Sequence, residues 1–136
     1  MLLMVSVQNL EEAKQAIKGE ADIVDVKNLQ EALVGSAHPG LVKEVRELVP
    51  LEQHASVTLG VVPKQVGTVA MAVYTAGILN ATSVKVGFMN TEYSLAKEIL
   101  LASKESLKGF ETKLIGSLFA DSDISKGIDP ELMQDL

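Results

Sequence analysis

Two lysines and an aspartate stand where amine chemistry would need them. Lys27 follows Ile23-Val24-Asp25-Val26, and Lys85 sits inside the apolar run Ser83-Val84-Lys85-Val86-Gly87. Strand alternation puts Asp25 and Lys27 on one face with Val24 and Val26 on the other; Lys85 likewise shares a face with Ser83 and Gly87. An amine attacks a carbonyl only when deprotonated, and a second cation close by, together with desolvation, favours that form. Such a pair suits a Schiff base, with the neighbouring lysine or Asp25 moving protons. A lysine at a strand end ordinarily begins a solvent-exposed loop, and that reading fits Lys27 taken alone. A lysine between valines in mid-strand must instead be paired or held in a polar interior, which is what singles out Lys85.

Other groups are weaker candidates. His38 precedes a proline and His54 leads into a strand; with no second ligand at useful spacing, both are expected to be surface histidines. Asp121-Ser122-Asp123-Ile124-Ser125 resembles the start of a calcium loop, but Lys126 takes the position needing Gly and Leu132 the position needing Glu. No metal site is expected there. Asp121 ends an apolar run, where it either enters a site to bind substrate or caps a loop. Gly60, Gly67 and Gly87 match no phosphate-binding or dinucleotide fingerprint, so no cofactor is expected.

The elements that must position these residues follow from short apolar runs alternating with helical ones. Strands are predicted at Leu2–Val7, Asp22–Lys27, Ala55–Gly60, Ser83–Phe88 and Lys113–Phe119. A helix capped by Asn9, with Glu12 at the third position, buries Leu10, Ala13, Ala16 and Ile17 and ends at Gly19. A second opens at Pro39 and stops before Pro50. A third runs from about Gly67 to Leu79, and a fourth from the cap Thr91 towards Gly109. A fifth starts at Asp129-Pro130. Five βα units imply a parallel sheet with right-handed crossovers. An eight-unit barrel of roughly 250 residues spends about 31 on each, so this chain supplies about 4.4 units. The expectation is one TIM-barrel-type domain over residues 1–136, truncated to about five units; an open flavodoxin-like sheet is the alternative.

Composition narrows the function classes. The 136 residues carry 12 Lys plus Arg against 18 Asp plus Glu, a net charge of −6, and no Cys. The acidic balance disfavours nucleic acid as a partner, and the missing Cys excludes disulfides, thiolate metal sites and cysteine nucleophiles. The opening Met-Leu-Leu-Met-Val-Ser-Val is too short for a signal peptide, and no run approaches the ~20 apolar residues of a membrane span. A cytoplasmic protein without a membrane partner is expected. A partial barrel would leave two sheet edges and inward apolar side chains such as Leu3, Val57 and Leu118 uncovered. A homo-oligomer, or pairing with a separate carboxyl-terminal half, would cover them.

The ordered series Met-Leu-Leu-Met-Val-Ser, Glu11-Glu12-Ala13, Ala21-Asp22-Ile23-Val24-Asp25-Val26-Lys27-Asn28, Lys43-Glu44-Val45-Arg46-Glu47, Gly67-Thr68-Val69, Val84-Lys85-Val86-Gly87 and Ala120-Asp121 resembles the (5-formylfuran-3-yl)methyl phosphate synthase family. It departs from that family at Leu29, at Val61 and after Asp121. The resemblance implies a (β/α)₈ barrel of methanofuran biosynthesis that condenses two molecules of glyceraldehyde 3-phosphate, with no metal or organic cofactor. It maps the Schiff-base lysine to Lys27 and a proton-transferring lysine to Lys85. It covers the amino-terminal part of the family's length.

Overall fold

The fold, taken from a computed structural model, is described for residues 1–31, 35–119 and 128. Five strands alternate with four helices: β1 (Met4–Val7), α1 (Leu10–Lys18), β2 (Ile23–Val26), α2 (Pro39–Leu48), β3 (His54–Val61), α3 (Val66–Ile78), β4 (Ser83–Phe88), α4 (Tyr93–Ser106) and β5 (Lys113–Leu118). All five predicted strands are present, with ends shifted by one or two residues. The helix expected from Asp129 and the candidate Asp121 lie outside the described residues.

Side-chain caps explain the starts of α1 and α2. Asn9 accepts a hydrogen bond from the Glu12 amide at 2.9 Å, and the Glu12 carboxylate accepts from the Gln8 amide at 2.7 Å. This reciprocal box, with acids in the first turn and Lys18 in the last, fixes α1. His38 is exposed, as expected of a surface histidine, and its Nδ1 accepts from the Gly40 amide at 3.1 Å, which caps α2 ahead of Pro39. Thr91, expected to cap α4, does not. Its hydroxyl donates back to the Met89 carbonyl at 3.1 Å, and Glu92 takes the cap position without a side-chain bond.

The strands pair in parallel in the order β1-β2-β3-β4-β5. Right-handed crossovers that always step the same way lay every helix on one face, and each helix packs against the next. Val24, Val26, Ala55, Val57, Val84 and Val86 are buried on that face, together with Ala13, Ala16, Val42, Val45, Val69, Val73, Ala96 and Ile99 from the helices. Val57 and Leu118 therefore do not point inward, as the sequence suggested. Ser56 stands opposite Asp25 and Thr58 opposite Lys85, and the two-residue period then turns Val57 towards α3. Leu118, paired with Phe88, packs against the same core. The face opposite the helices is mainly polar, with Met4, Ile23 and Ile115 as apolar members.

The top of that face is shaped by an irregularity. Pairing of β3 with β4 shifts between Thr58 and Val61, where Gly60 adopts φ +73°. A Cβ on Gly87 would lie 2.8 Å from the Gly60 carbonyl oxygen, so only glycine lets the strands close again above Lys85. Among the described residues, no helix is long and apolar enough to cross a membrane.

Candidate functional site

On the polar face, one row runs Ser6, Asp25, Ser56, Ser83 and Lys113 across the five strands, and Lys27, Thr58, Lys85 and Ile115 lie in the row above it. At their centre is Asp25, fully buried. Its Oδ2 lies 3.0 Å from the Lys27 Nζ and its Oδ1 2.9 Å from the Lys85 Nζ. One carboxylate thus bridges two ammonium groups from β4 and the end of β2, with β3 between them. Both lysine side chains keep a window to solvent, at 17% and 15% exposure. Thr58 Oγ1 reaches both Asp25 oxygens at 3.0 Å. The Lys27 amide donates to the Val7 carbonyl at 3.1 Å, which anchors the lysine to the sheet rather than to a free loop.

Burial works to raise the pKa of Asp25. The hydrogen bonds from Lys85 and Lys27, the charge of Lys85 and the Ser56 hydroxyl together more than offset it, and the net shift is downward from 3.8. Asp25 is therefore a permanent carboxylate at neutral pH. Its fixed negative charge stands between the two ammonium groups.

The row below adds His54, whose Nε2 lies 2.7 Å from Ser83 Oγ. Half-buried and held, His54 is not the surface histidine expected from the sequence. Desolvation lowers its pKa, and the charges of Lys113 and Lys85 lower it further, so the ring is neutral at pH 7. Lys85 Nζ also sits 3.2 Å from the Met4 sulfur.

The expected trio Lys27, Lys85 and Asp25 is thus brought together, while Asp121 lies outside the described residues. Sequence reasoning missed Ser56, Thr58 and the His54–Ser83 pair. Their signal was the alternation His54-Ala55-Ser56-Val57-Thr58-Leu59, which assigns every polar side chain to the lysines' face.

A cavity of about 330 Å³ opens beside Lys27, between Gln8, Asn28 and His38. A larger one, about 770 Å³, lies between α4 and β5, walled by Leu100, Leu107, Leu114 and Leu118 with Lys104, Lys108 and Lys113 beside them; neither Lys27 nor Lys85 lines it. No cluster of three metal-ligating side chains occurs among the described residues. Chemically, the site offers two amines sharing one fixed negative charge, within reach of a small cavity.

Comparison with known proteins places the chain in a family. The family model described as 4-HFC-P synthase matches residues 3–136. The (5-formylfuran-3-yl)methyl phosphate synthase of Methanobrevibacter smithii is 38% identical over 133 residues, covering 96% of this chain and 56% of the relative. The synthase of Methanothermobacter thermautotrophicus is 44% identical over 101 residues, 74% of this chain and 43% of the relative. That of Methanocaldococcus jannaschii is 38% identical over 116 residues, 85% and 49%. The chain spans about half the length of the curated relatives it matches. With its match running from residue 3 to residue 136, the chain belongs to the 4-HFC-P synthase family.

Proposed function

We propose that this chain carries the imine-forming half of a (5-formylfuran-3-yl)methyl phosphate synthase site, built on TIM-barrel-type βα units. The observation that supports it most is the Asp25 carboxylate bridging Lys27 and Lys85 at 3.0 and 2.9 Å. The sheet order favours the barrel type, since a flavodoxin-like sheet runs 2-1-3-4-5 and carries helices on both faces.

In this reading Lys27 attacks the aldehyde carbon of glyceraldehyde 3-phosphate and water leaves, giving an iminium on Nζ. Asp25 keeps that cation paired, so the charge present before reaction persists after it. Joining two such triose phosphates into the furan phosphate requires loss of one phosphate and two waters, hence repeated proton removal and return. Lys85, on the other oxygen of the same carboxylate, is placed for those transfers. Among the described residues the polar face carries three lysines (Lys27, Lys85, Lys113) and one carboxylate, on a chain whose net charge is −6. That local excess of positive charge suits a phosphorylated substrate.

Borohydride reduction in the presence of glyceraldehyde 3-phosphate, followed by peptide mass spectrometry, tests this. The expected adduct is on Lys27. Labelling confined to exposed lysines such as Lys14 and Lys108 would overturn the assignment.

Self-association belongs to the same proposal. Among the described residues β1 and β5 each pair on one side only, and the uncharged helix α3 exposes Met71, Tyr74 and Ile78. With the inward face mainly polar, these edges and this stripe carry the case for a homo-oligomer, or for a separate carboxyl-terminal half as partner. Light scattering on a sizing column should give a mass above that of one chain; a uniform 14.5 kDa species at micromolar concentration rejects the homo-oligomer.

A further inference from the structure

We propose that Thr58 is a positioning residue of this site: its hydroxyl, 3.0 Å from both oxygens of Asp25, keeps a donor on the carboxylate when Lys27 gives up its proton to react. The inference rests on the reading of Lys27 as the reacting amine.

Asp25 is completely buried, so water cannot replace a donor that it loses. While both lysines are charged, Oδ2 is served by Lys27 and Oδ1 by Lys85. Once Lys27 becomes a free amine, Oδ2 loses its charged partner. A hydroxyl has one hydrogen on a freely turning bond. Because Thr58 is equidistant from the two oxygens, it can swing that hydrogen to Oδ2 with no movement of heavy atoms. The register supports the assignment: Thr58 stands directly opposite Lys85, so its placement follows from the sheet rather than from a loop.

The groups facing Asp25 are few. Its own strand supplies Lys27. From β3 come Ser56, Thr58 and His54, from β4 Lys85, and from β5 Lys113. β1 contributes Ser6 opposite in register and Met4 against Lys85, neither of which titrates in this range. Thr58 and Ser56 are thus the neutral donors at hand; the Ser56 hydroxyl lies near enough to favour the carboxylate but outside hydrogen-bond geometry, whereas Thr58 meets both oxygens at 3.0 Å. With valine at position 58, the carboxylate would keep its ammonium partners and the nearby Ser56 hydroxyl but lose the donor shared between its two oxygens, and Lys27 would hold its proton to higher pH.

Trace acetylation with acetic anhydride across a pH series reads this without requiring turnover, because only the unprotonated amine reacts. Peptide mass spectrometry on the whole chain follows Lys27, with exposed Lys14 and Lys108 as internal standards. Thr58→Val is expected to move the Lys27 midpoint upward by about half a pH unit or more, the scale on which a hydrogen bond to a carboxylate acts. Thr58→Ser should stay with the parent, and the standards should not move. A purely structural role would lower thermal stability but leave the midpoint in place. An unmoved Lys27 midpoint in folded Thr58→Val, or an equal shift in Thr58→Ser, overturns the proposal; if the valine variant does not fold, Thr58→Ala is scored by the same criteria. Failure of the parent to form the triose adduct, with the acetylation shift intact, would reject the imine reading and leave the positioning role standing.

Discussion

Lys27→Ala is expected to abolish the reducible triose adduct outright, whereas Lys85→Ala should still form it but turn over ~10²-fold more slowly or worse, the usual scale for losing a positioned proton donor or acceptor. The two variants separate because the amines, though they share one carboxylate, do different jobs in the proposed reaction. Removing Lys27 removes the amine beside the cavity that Gln8, Asn28 and His38 enclose. Removing Lys85 leaves that nucleophile but changes its surroundings in two ways. Asp25 then pairs with Lys27 alone, which favours the unreactive ammonium form, and the later proton transfers lose their carrier. Raising the pH relieves the first effect and not the second. Single-turnover trapping of Lys85→Ala should therefore approach the parent rate at high pH while furan formation stays slow. Equal recovery of both steps would remove Lys85 from proton transfer. Total loss of the adduct in folded Lys85→Ala would mean that the roles of the two lysines are not distinct.

How far the sequence leads to this site depends on which link in the chain of reasoning is asked. The strands were legible because they are buried on the helix side, where Val24, Val26, Val84 and Val86 cannot belong to anything exposed. The Asn9–Glu12 cap was legible because both halves of its hydrogen-bonded box lie within four residues. Lys85 was legible because a charge between two valines needs an explanation. What stayed hidden depends on register. Local alternation separates Thr58 from Val57, but that Thr58 stands opposite Lys85 follows only when Ser56 is set against Asp25. The same lack of register made Val57 and Leu118 seem inward and His54 seem idle. Thr91 failed as a cap for a different reason: two local hydrogen bonds competed for one hydroxyl, and the turn to Met89 won.

Asp25→Asn should be the most destabilising isosteric change in the site, costing ~3 kcal/mol at neutral pH, the lower end for breaking a buried ion pair because both lysines retain a window to solvent. For a domain of this size that corresponds to a fall of roughly 10 °C in thermal midpoint. The amide fills the same volume and still accepts from Thr58, so packing is unchanged. What disappears is the negative charge that holds two ammonium groups at 3.0 and 2.9 Å. Acid should erase the difference. The folded-state pKa of Asp25 lies below 3.8, its ordinary value, because donation by Lys85 and Lys27 outweighs the opposing effect of burial. Between those two values the unfolded chain binds a proton that the folded chain does not, so stability rises with pH there. The contribution of Asp25 is thus complete above about pH 5 and is lost as pH falls through the folded value. Urea denaturation of parent and variant at pH 7, 5, 4 and 3 should show a constant gap at the upper two and a closing gap below. A gap that persists undiminished at the lowest pH would place the stabilising role of Asp25 in its shape and hydrogen bonds rather than in its charge, and with it would fall the claim that this carboxylate holds two cations together for chemistry.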